Sequence, residues 1–385
     1  MSARLLAFYL PQFHPIPEND AWWGKGFTEW FNVAKAQSLF RGHVQPNLPG
    51  DFGFYDLRLP ETRAAQAALA AQYGIAGFCY WHYWFQGKRL IERPFNEVLA
   101  SGEPAFPFCL AWANESWSRR WLGEEKQVLI AQTYSSEDNI AHARWLTQCF
   151  ADPRYLRVEN RPLFLIYRPR DLPNPQRTLD TLRQESARAG LPEPYLVGID
   201  AHCYGMDLRT LGFDDTLAFE PQLGALPNAL ADGWSAARIH QNLAVRRAAV
   251  DGYLNGARAA RRALYFAWQT RDLKLYAETD ARQRMENISR PFPYLPSVYV
   301  GWDNTPRRGR KGIVITNNTP QQFGAALARK IAQVQPRPPE QRLVFINAWN
   351  EWAEGNHLEP DLKNQHGYLE QIPRALNRAQ TNITT

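Results

Sequence analysis

Eight short apolar runs, separated by stretches with helical spacing, set the narrowest limit on what this chain can fold into. They fall at residues 5–10, 75–81, 106–113, 163–167, 195–199, 216–219, 298–301 and 343–346. Continuous apolar runs of this length suit parallel strands buried on both faces. Between them, residues 61–73 read as a helix stopped by Gly74, residues 94–100 as a second, and residues 136–150 as a third, with Ser136 and Asn139 as a weak cap. Residues 175–189 form a fourth, ended by Gly190, and a short segment at 208–211 follows the fifth run. The stretch 234–293 holds helical material including 277–288; residues 320–334 precede the eighth run and 368–378 can close the fold. The alternation predicts an α/β fold, a (β/α)8 TIM barrel occupying residues 1–385 as a single domain with loop insertions. An open doubly wound sheet is the alternative, but no glycine-rich phosphate turn follows the first run.

A barrel places its chemistry just past the carboxyl ends of its strands. Polar and aromatic residues recur there. Tyr9, Gln12 and His14 come with the first run; His82, Tyr83 and Trp84 with the second; Asn114, Glu115 and Trp117 with the third; Asp200 and His202 with the fifth; Glu220 with the sixth; and Trp302, Asp303 and Asn304 with the seventh. Any one of them alone is ordinarily a structural group, and an aromatic run such as YWHYWF is ordinarily packing. Recurrence at equivalent positions points to one shared pocket. Many of the 14 tryptophans fall at these ends, and indole and phenol rings offer flat apolar faces with a polar handle, which suits pyranose rings.

The eighth run leads into the densest of these segments, NAWNEWAEGNHLEP, where Asn350, Glu351, Trp352, Glu354, His357 and Glu359 follow within a few residues. Glycosidic-bond chemistry needs two nearby carboxyl groups, one protonating the leaving oxygen while the other acts on the sugar. Glu351 and Glu354 are three residues apart, so either a helical turn or an extended loop keeps them close enough to interact. Such a pair can keep one proton near neutral pH. They are the candidate catalytic pair; Tyr9, His14, His82, Tyr83, Trp84, Asn114, Glu115, Trp117, Asp200, His202, Glu220, Trp302, Asp303, Asn350, Trp352, His357 and Glu359 are candidate substrate-binding residues.

The formal charge of +6 and the cluster Arg307, Arg308, Arg310 and Lys311 raise the question of an anionic partner. No nucleic-acid recognition motif accompanies them. An anionic glycan, a lipid-linked sugar phosphate or peripheral contact with the inner membrane surface fits better. The four cysteines, Cys79, Cys109, Cys149 and Cys203, show no CxxC spacing and read as reduced and structural. No stretch approaches a membrane span, and the apolar run before Pro11 is too short for a signal sequence, so a cytoplasmic location is expected. His14, His82, His202 and His357 lack metal-ligand spacing, and neither a metal nor another cofactor is expected.

The segments FYLPQFHP, residues 26–58 beginning GFTEWFNVAK, GFCYWHYWF, AWANESWSRRW, GWDNTPRR and NAWNEWAEGNHLEP resemble the WbsX-type proteins of bacterial surface polysaccharide clusters, and more distantly glycoside hydrolase family 99, the endo-α-mannosidases and endo-α-mannanases. The resemblance runs through nearly the whole chain. It implies a (β/α)8 barrel, retention of configuration, and an EWxEG segment in which Glu351 deprotonates the sugar 2-hydroxyl and Glu354 acts first as acid and then as base. His357 stands where the hydrolases usually carry Gln, and the FTEW segment with Glu29 and Trp30 belongs to the WbsX type alone, so substrate identity does not transfer. Three functions follow: a retaining hydrolase-like enzyme acting on an oligosaccharide or polysaccharide, free or lipid-linked; a glycosyltransferase of O-antigen or lipopolysaccharide assembly; or a non-catalytic glycan-binding barrel. Against the second stands the absence of a convincing DxD-type metal site or paired Rossmann domains, Asp214 and Asp215 alone being too weak a signal.

Overall fold

The computed structural model describes residues 3–119, 124–226, 243–256 and 258–381. Eight parallel strands close on themselves: β1 Arg4–Tyr9, β2 Ile75–His82, β3 Phe108–Trp112, β4 Arg161–Ile166, β5 Tyr195–Asp200, β6 Asp215–Ala218, β7 Leu295–Tyr299 and β8 Leu343–Asn347. Each pairs with its sequence neighbours, and β1 pairs with β8 through Leu5↔Val344 and Ala7↔Ile346, completing the ring. Closure removes every edge, so the apolar strands have no unpaired backbone to expose. The fold is the (β/α)8 barrel.

The helices pack outside. Those of nine or more residues are α1 Pro60–Gln72, α2 Arg93–Ser101, α3 Ser136–Phe150, α4 Pro175–Arg188, α5 Leu243–Leu254, α6 Arg258–Thr270, α7 Glu278–Glu286, α8 Pro320–Val334 and α9 Gln371–Thr381. Of the helical stretch expected from residue 234, residues 234–242 lie outside the described ones. Several details differ from the sequence reading, among them the closing helix, which begins at Gln371 and not at residue 368. The cap of α3 is Ser135, whose side chain accepts from the Asp138 backbone N–H, because Ser135 is the extended residue at the entry. Strand β7 begins earlier than expected, since Pro296 is accommodated beside Ala218 near the strand start, where its missing N–H is tolerated.

Aromatic rings fill the barrel. Phe8 stacks on Trp81 at 4.8 Å and meets Phe219 edge-on at 5.2 Å and Phe345 at 5.6 Å. Burial of each such ring contributes roughly 1.5–3 kcal/mol. The same plug forms the floor of what lies above it, because Trp81 and Phe219 also line the cavity at the carboxyl end. Cys79 and Cys109 sit side by side in the β2–β3 register, and all four cysteines are free thiols. Among the described residues no helix is long and apolar enough to cross a membrane.

Candidate active site

After β8 the chain folds into a tight hairpin. Asn350 pairs with His357 and Glu351 with Asn356, and the tip, Trp352–Glu354, is one turn of 3-10 helix. Glu351 is the residue before that turn and Glu354 is its last, and both carboxylates reach the same guanidinium, that of Arg307. Gly355 ends the turn at φ +59°, and a Cβ there would stand 3.1 Å from the Asp303 Cβ. Glycine is required by both the backbone and the contact.

Asp303 lies against that turn. Its Oδ1 accepts from the Thr305 N–H at 3.0 Å and the Thr305 hydroxyl at 2.6 Å, starting the short helix Thr305–Arg308. That helix delivers Arg307 onto the carboxyl pair. Its Nη1 donates to Glu354 Oε1 at 2.6 Å, its Nη2 to Glu351 Oε2 at 3.1 Å and its Nε to Glu29 Oε2 at 3.0 Å. Arg307 was grouped by sequence with a basic surface cluster; here its side chain is only 10% exposed and serves three carboxylates. Glu29 begins the helix Glu29–Ala34, is fully enclosed, and has no hydrogen-bond partner at Oε1 among the described residues.

One guanidinium cannot neutralise three carboxylates, of which Glu29 and Glu351 are enclosed and Glu354 is half-buried at the cavity. Burial, opposed by Arg307 and reinforced by Glu354 and Glu29, pushes Glu351 up to about 8. Burial also pushes Glu354 up, again opposed by Arg307 and reinforced by Glu29. The pair therefore titrates as a unit that keeps a proton into the neutral range. The three carboxylates in turn hold Arg307 charged well above the usual arginine range.

The pair opens onto a cavity of about 340 Å³. Of the residues expected at the site, Tyr83, Glu115, Trp117, His202 and Trp302 line it together with Glu351 and Glu354. Tyr83 and Trp117 meet edge-on at 5.1 Å, and the Trp302 Nε1 is enclosed without a partner among the described residues. Glu115 accepts from Arg168 Nη2 at 2.6 Å, while the Tyr167 hydroxyl and His202 Nε2 lie 3.2 Å apart. Gln12 and Asn304 also line the cavity, as do Trp23, Arg168, Arg307, Arg308 and Asn347, which sequence reasoning did not nominate.

The remaining nominees are placed elsewhere. Tyr9 donates to Gln66 Oε1 at 2.7 Å behind the barrel wall. His14 is enclosed with its Nδ1 3.0 Å from the Pro11 carbonyl, and burial lowers it to about 4. His82 Nε2 lies 2.9 Å from His142 Nε2, and Trp84 donates to Asp138 Oδ1 at 2.9 Å, so both anchor α3. Asn114 supports the cavity from beneath by accepting from the Arg168 N–H at 2.7 Å. Asp200 takes Arg290 Nη2 at 2.9 Å and the N–H groups of Cys203 and Gly205; Glu220 takes Lys330 Nζ at 2.7 Å.

Asn350 exchanges bonds with the Leu10 backbone, and Glu359 accepts from Tyr55, Gln66 and Trp352, the last at 2.6 Å. Trp352 stacks on His357 at 3.8 Å, away from the main cavity. His357 and Asp303 border a second space of about 230 Å³ on the far side of Trp302. The four histidines nominated together are thus dispersed. Among the described residues no group of three or more His, Cys, Asp or Glu side chains is arranged to hold a metal.

Residues 5–372 match the family model described as Glycosyltransferase WbsX. The chain belongs to the WbsX family. Two proteins called WxcX, from Xanthomonas campestris pv. campestris strains B100 and ATCC 33913, are 42% and 41% identical to it over 383 residues, 98% of this chain in each case. The chain spans about half the length of these curated relatives, 50% of each. Among solved structures, the family 99 endo-alpha-mannosidase of Bacteroides thetaiotaomicron shares the fold with a TM-score of 0.54 at 14% identity, covering 99% of both chains. A structure titled glycoside hydrolase-like protein does so with a TM-score of 0.55 at 13% identity, covering 97% of this chain and 94% of that one.

Proposed function

We propose that this WbsX-family chain acts on glycosidic bonds of a bacterial surface polysaccharide or its oligosaccharide precursor, of the lipopolysaccharide or O-antigen type, by retaining chemistry at Glu351 and Glu354. The observation that carries this reading is the pair itself: two carboxyl groups gripped by one guanidinium, facing a cavity walled by tryptophan and tyrosine. The one proton the pair keeps sits on Glu354 when a sugar is bound, so in the first step the ionised Glu351 takes the proton of the sugar 2-hydroxyl as that oxygen attacks the anomeric carbon. Glu354 gives its proton to the departing oxygen, leaving a 1,2-anhydrosugar. In the second step Glu354 takes a proton from water or from an acceptor hydroxyl, whose oxygen opens the anhydro ring, and Glu351 returns its proton to O2. Protons balance over the cycle. Arg307 keeps both carboxylates in position, and the unpartnered Trp302 N–H offers a donor to a sugar hydroxyl.

The family's own description favours transfer as the second reading. With an acceptor hydroxyl in place of water, the same residues build a bond instead of cleaving one. The test is to incubate the protein with O-antigen and mannan oligosaccharides, with and without nucleotide sugars, and to read product masses. Shortened or transglycosylated glycans formed without a nucleotide support the proposal. Acceptor growth that requires a nucleotide sugar makes it a glycosyltransferase of a different mechanism, and binding without products leaves a glycan-binding barrel.

A further inference from the structure

Between β6 and β7 the chain inserts a helical hairpin, α5 and α6. The inner face of α6 is small and buried, Ala260, Ala263, Ala267 and Thr270, and Phe266 fixes it to the loop that follows the helix Glu29–Ala34 by meeting Phe40 edge-on at 5.6 Å. The outer face is unlike an ordinary solvated helix. Arg258, Arg261, Tyr265 and Trp268 follow at helical spacing, so they form one stripe. The Tyr265 and Trp268 rings stack at 5.9 Å and are 58% and 57% exposed. Helix α5 adds Tyr253 and Leu254, the latter 73% exposed. Arg261 lies over the Tyr253 ring at 5.6 Å, which joins the two outer faces into one surface.

Single exposed apolar side chains need no explanation, but a contiguous set edged by cations does. Residues 243–272 carry six arginines against two aspartates, Asp251 and Asp272. A partner for this face must offer apolar depth and dense negative charge together. An anionic bilayer surface has both: Trp and Tyr rings settle at the headgroup level while arginine stems reach phosphates. We propose that the α5–α6 hairpin docks on an anionic lipid surface and lies along it. Neither helix, at 12 and 13 residues, is long enough to cross.

The location agrees with the chemistry nearby. Arg310 Nη1 donates to the Gln269 carbonyl at 2.8 Å near the end of α6. The same loop carries Arg307 onto the carboxyl pair and Arg308 into the cavity lining. A glycan tethered to that lipid surface would therefore enter beside the loop that organises the site; this last point rests on the proposed function, whereas the docking does not.

Cosedimentation with vesicles of phosphatidylcholine alone, and of phosphatidylcholine with phosphatidylglycerol, tests it. Binding is expected only to the anionic vesicles and should weaken with salt. Two double variants, Trp268→Ser with Tyr265→Ser and Arg261→Gln with Arg262→Gln, should each lower partitioning about tenfold while cleavage of a soluble glycan is unchanged. The proposal is overturned by no vesicle binding, by equal binding to neutral vesicles, or by binding that neither double variant reduces. It is equally overturned if the aromatic double variant changes only the molecular mass in solution, which would make the face an interface between copies. Vesicle binding by a wild-type protein that cleaves no glycan would count against the catalytic reading alone.

Discussion

Glu351 and Glu359 belong to the same loop after β8, both are enclosed, and burial pushes both upward, to about 8 and about 7. Their surroundings differ. Glu351 shares Arg307 with two other carboxylates and faces the cavity, whereas Glu359 accepts from three uncharged donors, Trp352, Tyr55 and Gln66, behind it. A proton can pass in either direction between Glu351 and a sugar in the cavity. One on Glu359 has only the wall to go to. Burial alone, then, does not single out the proposed catalytic carboxyl group; what distinguishes Glu351 is a competing cluster of like charge on one side and open space on the other.

The contrast can be broken by substitution. The largest effect is expected at Glu354: Glu354→Gln should reduce turnover of a glycan with a poor leaving group by roughly 10³-fold or more, with thermal unfolding little changed. Next comes Arg307→Met, which leaves Glu29, Glu351 and Glu354 facing one another without a cation. Stability should fall by about 3 kcal/mol in chemical denaturation, and activity with it. Glu359→Gln should separate the two regions: a stability loss of roughly 1–3 kcal/mol from its disturbed donors, but turnover within a few-fold of wild type at a temperature where the variant is folded.

A pH series sharpens the same point. Because the folded-state pKa of Glu351 is raised, its protonated form is favoured by folding. That stabilisation is complete below the ordinary carboxylate range and is lost as pH rises through about 8. The melting temperature should therefore decline across that window in the wild type and less steeply in Glu351→Gln. The smallest effect belongs to Trp302→Phe, which keeps a ring and removes the N–H; a rise in KM of about threefold, with kcat held, is expected if the indole binds a sugar hydroxyl.

Sequence was most informative where periodicity carries the signal. The helices at 136–150 and 320–334 have the expected bounds, and all eight strands lie close to their apolar runs. Strand-end position was a coarser guide to the site. It brought forward Tyr83, which lines the cavity, but equally Trp84 and His82, which turn outward toward α3, because neighbouring residues at a strand end point to opposite sides. Arg168 follows β4 as the other nominees follow their strands, and the same reasoning extended to the fourth strand would have found it. Arg307 was obscured by its company, since RRGRK reads as a solvated basic loop and only the fold turns its first arginine inward. Glu29 lies far from the pair in sequence, and no spacing rule could have joined them.

The most direct measurement is the rate of glycan turnover by Glu351→Gln, Glu354→Gln and Glu359→Gln, each compared with wild type under conditions where all four proteins are folded. The account predicts near-complete loss in the first two and substantial activity in the third. Glu354→Gln turning over a poor leaving group at close to the wild-type rate would contradict it and remove Glu354 from the mechanism.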